Sequence, residues 1–382
     1  MSLKLPKLPK VYLVLYWFLG VVYMLVGLIF LEVKYEQKQN TTTILKMNSV
    51  YSATAGTTKS GLVSVSEESL TPIYFVGDVM LARHVEALMQ EHGSDYPFRQ
   101  LNFLASSSYV FGNFEASIPK VHTKTPNYTF SFAVNPIFLV SLKQAGFTHL
   151  SLANNHALDN GVDALVNTKL ELEATGLTAW GNPQAEVATS SFTYLTFNEK
   201  IVAVLALNTI GMTFVEADLL TLLAEASAQS DFQIAYVHWG TEYDTKRSVW
   251  QRDFAELLAT AGVDIIIGHH PHVVQGIETI GNTVVFYSLG NFIFDQYFSP
   301  EVQTGLVLKL DYTSPGLAIN LIPVTSQGMR AQPRAMSETE QAIFLKNLAE
   351  DSEKRLTSMI TSGVLYLDTT LATSAEMIIM EL

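Results

Sequence analysis

Read for the spacing of its apolar positions, the chain changes texture twice. From Val11 to Leu31 it is apolar on every side and carries no charge, the pattern of a helix with no water-facing stripe. From Glu32 to Leu70 the apolar positions lose any period, and Thr, Ser, Lys, Gln and Glu dominate, as in a linker or stalk. From Pro72 short apolar runs alternate with amphipathic segments. PIYFVGD, YVFGNFE, FTHLSLANNH, DFQIAYVHWG and VDIIIGHH predict strands, whereas RHVEALMQEH, GVDALVNTKLELEATG and SVWQRDFAELLATAG predict helices. TYLTFNEKIVAVLALN and IETIGNTVVFYSLGNF predict hairpins, turning near Asn198 and at Gly281-Asn282. After Arg334, SETEQAIFLKNLAEDSEKRL opens on the Ser337–Glu340 capping-box spacing and predicts a surface helix. Strands alternating with helices argue for an α/β domain with a partly parallel sheet. The predicted organisation is a tail at 1–10, a membrane span at 11–31, a linker at 32–70, the α/β domain at 71–334 and a helical extension at 335–382.

The first apolar run has the length a bilayer requires, since about 20 residues at 1.5 Å rise cross a ~30 Å hydrocarbon core. Lys4, Lys7 and Lys10 precede it, and no comparable excess follows it. That asymmetry predicts a single-pass cell-membrane anchor with the N-terminus cytoplasmic and the main domain extracellular. A cleaved signal peptide would have a shorter apolar region and an A-x-A-like site, and LEVKYEQKQ offers none. Hydrophobic residues make up 48% of the chain and charged residues 15%, which leaves material for a large core. The net charge of −13 argues against a nucleic-acid surface. Cysteine is absent, which excludes a disulfide scaffold and thiolate metal ligands without choosing a compartment.

Candidate chemistry appears where the strands run out. IYFVGD ends in Asp78, and YVFGNFE carries Asn113 and Glu115. HLSLANNHALDNG supplies Asn154, Asn155, His156 and Asp159, and IAYVHWGTEYD supplies His238, Glu242 and Asp244. IIIGHHPH delivers His269, His270 and His272, three of the nine histidines, and FYSLGNFIFDQ delivers Asn291 and Asp295. In open α/β sheets ligands bind outside the carboxyl ends of the strands, so six such ends converge on one site. Neutral imidazoles, carboxylates and amide oxygens together suit a hard or borderline divalent cation, such as Zn, Mn or Fe. A hydrogen-bonded polar cluster without metal is the alternative. His270 and His272, at i and i+2, share one side of an extended segment stiffened by Pro271, which leaves His269 pointing elsewhere.

The ordered set GDVMLAR, GNFEASI, NNHALDNG, HWGTEYD, GHHPHVVQG and YSLGNFIFDQ, spanning Pro72 to Pro333, resembles the CapA capsule-synthesis family. That family supports bacterial poly-γ-glutamate production and is in turn similar to calcineurin-like metallophosphoesterases. The resemblance implies a metallophosphatase-like four-layer α/β/β/α sandwich behind an N-terminal anchor. It implies Asp78, Glu115, Asn155, His238, His270 and His272 as metal ligands, for one or two divalent ions. Two positions depart from the phosphoesterase pattern: Met80 stands where a histidine is usual, and Asn113 where a bridging aspartate is usual, with Glu115 two residues on.

If the site is catalytic, its chemistry is metal-assisted hydrolysis, with His156 beside Asp159 as the general acid. No serine-nucleophile elbow competes with it. Arg83, Asn113, Glu242, His269 and Asn291 are candidates for substrate contact. Arg83, Lys124, Lys246, Arg247 and Arg252 lie close to the motifs in sequence and are candidates for contact with a polyanion. Three functions stay open. One is an accessory protein of membrane poly-γ-glutamate synthase subunits, in contact with the polymer and the bilayer. The others are a metal-dependent phosphoester or amide-polymer hydrolase at the cell surface and a non-catalytic polymer-binding protein.

Overall fold

Strict alternation of inward and outward apolar residues builds this fold. In strand β1 (Ile73–Val79), Ile73 and Phe75 face one core while Tyr74 and Val76 face another. The computed structural model describes residues 71–104, 108–184, 188–211, 215–312 and 316–368. These belong to one compact unit, Glu68–Leu382. The predicted span at 11–31 and its linker lie outside the described residues, among which no helix is long and apolar enough to cross a membrane.

Beside β1 run β2 (Tyr109–Phe114), β3 (His149–Ser151) and β4 (Thr178–Trp180), all parallel. A second sheet holds β5 (Phe192–Phe197), β6 (Lys200–Asn208), β7 (Phe232–His238), β8 (Ile265–His269), β9 (Ile277–Ile280) and β10 (Thr283–Phe286). Its order is β5-β6-β7-β8-β10-β9, parallel except for β5 and β9, each returned by a hairpin. Asn198 and Glu199 take φ of 49° and 63° at the first turn, as a two-residue hairpin turn needs. The first sheet is completed by β11 (Asn291–Ile293), β12 (Thr304–Tyr312), β13 (Gly316–Thr325), β14 (Arg334–Ala335) and β15 (Val364–Asp368).

The central core lies between the sheets, with Phe75, Phe111 and Leu308 on one side and Val204, Tyr236 and Ile267 on the other. The outer face of the nine-stranded sheet is covered by α1 (Arg83–His92), α2 (Leu139–Gln144) and α3 (Val162–Ala174), through Val85, Met89, Leu142 and Leu172. The outer face of the six-stranded sheet is covered by α4 (Glu216–Ser227) and α5 (Val249–Thr260), through Leu219, Leu223, Phe254 and Leu258. Helices therefore lie on both outer faces of two stacked sheets, an α/β sandwich.

The end of the described chain departs from the sequence reading. Helix α6 (Glu338–Glu350) does begin with the Ser337–Glu340 capping box, but Leu345, Leu348 and Ala349 reach the central core. Helix α7 (Thr357–Ser362) adds Met359 and Ile360. Strand β15 then pairs antiparallel with β13, from Asn320–Val364 to Gly316–Asp368. Residues 335–368 complete the sandwich, so a helical extension beginning at 335 does not describe them. The reason is an edge: β14 covers only Val324 and Thr325 of β13, and the other end of that strand needs a second partner.

At Gly77 strand β1 changes neighbours. Ile73–Phe75 pair with β12, whereas Asp78 pairs with Asn291 of β11. A Cβ on Gly77 would lie 1.8 Å from the Gly290 carbonyl oxygen, so only glycine lets the two backbones meet.

His149 is a buried imidazole between the sheets, stacked on Phe111 with ring centroids 4.4 Å apart. Burial first, then the charge of Lys143, lowers its pKa to about 4. The unfolded chain binds this proton at a higher pH than the folded one. The associated stability is therefore complete above the unfolded value and lost as pH falls towards 4. His149→Phe should lose less stability than wild type between pH 6.5 and 4, read as the shift in urea midpoint; parallel shifts would count against it.

Candidate functional site

Parallel strands end on the same edge, and this edge gathers the predicted residues. Asp78 is near the end of β1 and Asn113 near the end of β2, with Glu115 just beyond. Asn154, Asn155 and His156 follow β3, while His238 ends β7 and His269 ends β8. Asp78, Asn113, Glu115, Asn154, His238 and His269 are fully buried.

Asp78 is the acceptor at the middle. Asn113 Nδ2 donates to its Oδ1 at 2.8 Å and the His270 backbone N–H to its Oδ2 at 3.2 Å. His269 Nδ1 and His272 Nδ1 lie 3.5 and 3.3 Å from its two oxygens. Asn113 is turned by Asn154, whose Nδ2 donates to Asn113 Oδ1 at 3.0 Å and to the Phe114 carbonyl at 2.9 Å. His238 lies between Asn155 Oδ1, 2.7 Å from its Nε2, and His269 Nδ1, 2.8 Å from its Nδ1. His156 Nδ1 meets Asp159 Oδ2 at 2.9 Å, and the same oxygen accepts from Phe132 N at 2.7 Å. The Phe132 ring stacks on His156 at 4.1 Å, and His156 Nε2 lies 3.7 Å from Glu115 Oε1.

These surroundings push the two carboxyl groups apart. Burial alone would raise Asp78, but hydrogen bonds and charge from His269 and His272 hold it well below the usual carboxylate range. Burial, and then the Asp78 charge, raises Glu115 well above that range. Burial lowers His238, His269 and His270, the last to about 3, with neighbouring imidazoles adding to it. Neutral imidazoles beside an ionised carboxylate are what a cation needs.

Several sequence expectations need correction. The 270–272 segment is not extended: His270 and His272 have φ of 96° and 59°. Both rings nevertheless reach the centre, because this tight turn points them there. His269 does not point elsewhere but lies against Asp78 and His238. Asn113 is fully buried and faces Asp78, not a substrate. Asn291 meets His272 Nδ1 through Oδ1 at 2.9 Å and is anchored by Gln296 and the Val302 carbonyl, so it orients that imidazole. Arg83 is unavailable to a polyanion, since Asp295 and the Thr129 carbonyl hold its guanidinium over the Phe132 ring. Arg247 and Arg252 share Glu278, whereas Lys124, which donates to Gln90 at 3.2 Å, stays exposed. Glu242 comes within metal-sharing distance of His270 and His272, closer to a ligand's place than to a substrate contact. Met80 is a core residue whose sulfur accepts from Ala82 N at 3.0 Å. Sequence reasoning gave Asn154 no role and overlooked Phe132; the first sits beside Asn155, but nothing in the sequence links Phe132 to His156.

The residues present fit a divalent cation. Glu115 Oε1, His269 Nε2 and His270 Nδ1 are buried with no hydrogen-bond partner among the described residues. Four overlapping sets have ligand atoms within 4.8 Å of one another: Asp78–His238–His269, Glu115–His238–His270, Glu242–His270–His272 and Asp78–Glu115–His272. Such overlap accommodates one ion or two.

Residues 72–296 match the family described as "Bacterial capsule synthesis protein PGA_cap". The chain is 30% identical over 317 residues to the PGA biosynthesis protein CapA of Bacillus subtilis (strain 168), covering 78% of this chain and 83% of that one. It is 31% identical over 314 residues to the capsule biosynthesis protein CapA of Bacillus anthracis, covering 75% and 74%. A solved structure of a novel phosphatase from Mycoplasma pneumoniae aligns over 70% of this chain and 92% of its own, at 14% identity. The TM-score of that alignment is 0.42.

Elemental analysis of the purified protein should find a stoichiometric divalent metal. His270→Ala with His272→Ala should remove it, and chelation should lower the melting temperature, because an ion bound only by the folded state stabilises it. Metal-free protein whose melting is indifferent to chelator would leave a hydrogen-bonded polar cluster.

Proposed function

The chain belongs to the PGA_cap family of bacterial capsule synthesis proteins, and from that membership we propose that it serves poly-γ-glutamate synthesis or export as an accessory protein of a membrane synthase. In this reading residues 11–31 anchor it, residues 1–10 are cytoplasmic, and the sandwich stands outside the cell. Membership supports the capsule role. The anchor rests on the uncharged run behind Lys4, Lys7 and Lys10.

We read the polar centre as metal-dependent and hydrolytic, acting on a phosphoester or an amide-linked polymer. The observation that carries this reading is the buried set of two carboxylates and four imidazoles, in which atoms of Glu115, His269 and His270 find no hydrogen-bond partner among the described residues. Asp78, Glu115, His238, His270 and His272 would hold the ion, Mn, Zn or Fe, with His269 and Asn155 against His238. When bound, such an ion lowers the pKa of a coordinated water and polarises a phosphoryl or carbonyl oxygen. The chain's own contribution is orientation. Asp159 accepts from His156 Nδ1, which aims Nε2 at the centre, where it can give a proton to a leaving group. Phe132 fixes this pair twice, by its ring on His156 and by its backbone N–H on Asp159.

Protease added to intact protoplasts should digest the sandwich; survival of the sandwich until lysis would reverse the topology. Deleting the gene should abolish surface polymer, and the wild-type chain should restore it. His238→Ala with His272→Ala, in protein shown to be folded and anchored, should give no polymer or polymer of altered length. Normal polymer from that double variant would remove the catalytic reading while leaving the accessory role. Normal polymer without the chain, in a cell lacking a second copy, would remove both.

A further inference from the structure

From Ala116 to Leu158 the chain carries no aspartate or glutamate, although it has 36 of them elsewhere. Within that run the connection after β2 exposes Val121 (83%), Tyr128 (93%) and Phe130 (78%), with Lys120 and Lys124 also exposed. Apolar side chains held in water forgo the gain that burial would bring. The exposure is not slack. His122 Nε2 lies 3.0 Å from the buried Glu86 Oε1, Ala133 N donates to Thr125 Oγ1 at 3.0 Å, and Arg83 Nη1 donates to the Thr129 carbonyl at 3.0 Å. Arg83 also binds Asp295, three residues before Phe298, which is 66% exposed. The two connections are therefore stitched together, and Phe132 links the first of them to His156.

We propose that residues 119–131 form a membrane-docking loop, in which Val121, Tyr128 and Phe130 enter the interface of an anionic bilayer and Lys120 and Lys124 meet its headgroups. Aromatic side chains favour the membrane–water boundary, and lysines beside them add electrostatic attraction to anionic lipid. The acid-free run matters because this chain is otherwise strongly acidic and would be repelled by such a surface. A polyanionic polymer would also attract lysines, but it has no use for three rigidly presented apolar side chains. The proposal rests on the anchored reading above, whose linker at 32–70 is long enough for the sandwich to approach the bilayer. Docking would turn the His156 side of the centre towards the membrane, where a nascent chain would emerge.

The chain has no cysteine, so single labels are unambiguous. Full-length Val121→Cys, Phe130→Cys and, as control, the exposed Ile343→Cys would carry an environment-sensitive fluorophore. They would be reconstituted in phosphatidylcholine vesicles with and without phosphatidylglycerol. The labels at 121 and 130 should shift to the blue and be quenched by brominated lipid in anionic vesicles, while that at 343 should not. Lys120→Gln with Lys124→Gln should lower the docked-to-undocked ratio roughly 25-fold, at about fivefold per lysine. Protein that floats with the vesicles but shows no quenching at 121 or 130 overturns the docking loop and leaves the anchor standing. Protein that fails to float overturns both. A blue shift produced by soluble poly-γ-glutamate on phosphatidylcholine vesicles alone, with no response to anionic lipid, assigns the loop to the polymer and overturns the proposal.

Discussion

One buried carboxylate organises the centre. Asp78 has no exposed surface, and a charge so placed is tolerated only when its oxygens are occupied. Its neighbours come from separate pieces of chain: Asn113 from β2, and His269, His270 and His272 from the exit of β8. The strand that carries Asp78 reaches this place only because Gly77 lets its backbone press against Gly290. Glu115 lies in the same space and is driven the other way, towards its neutral form, by burial and by the Asp78 charge. A divalent cation held there, as proposed above, would resolve that conflict by allowing both carboxylates to be ionised together.

The two sheets divide the chemistry. The two fully buried carboxylates and the amides come from the nine-stranded sheet and its loops, through Asp78, Asn113, Glu115 and Asn155, along with His156, whereas Glu242 follows β7 of the six-stranded sheet. The remaining imidazoles, His238, His269, His270 and His272, come from the six-stranded sheet. Contacts such as Asn113–His238 and Asp78–His269 therefore cross the seam between sheets, and so does the bond from Tyr236 OH to the Val76 carbonyl. The centre keeps its geometry only while the inter-sheet core stays in register.

Much of this was legible in the sequence because strand ends are marked by a change from apolar to polar residues. Asp78, Glu115, His156, His238, His270 and His272 were found that way and do converge. The spacing of His270 and His272 gave the right partners for the wrong reason. Alternation rules assume extended backbone, and these two residues have positive φ. The direction of His269 was lost to the same assumption. Arg83 read as a free cation because its partner, Asp295, is remote in sequence and becomes a neighbour only through the β1–β11 pairing. Strand β15 escaped because short strands at a sheet edge carry little periodic signal, and what demands it is the bare end of β13.

The partner change of β1 also sets an order of assembly. Its N-terminal half is bordered by β12 and its C-terminal half by β11, so Ile73 waits for Leu310 and Asp78 for Asn291. The first strand of the sandwich to leave a ribosome or a translocation channel is thus flanked on one side by strands that arrive near the end. Closing such long loops is slow, and until then an apolar strand keeps an open edge. The long interval between β1 and β11 is the time in which the nascent chain is most exposed to aggregation and to chaperones.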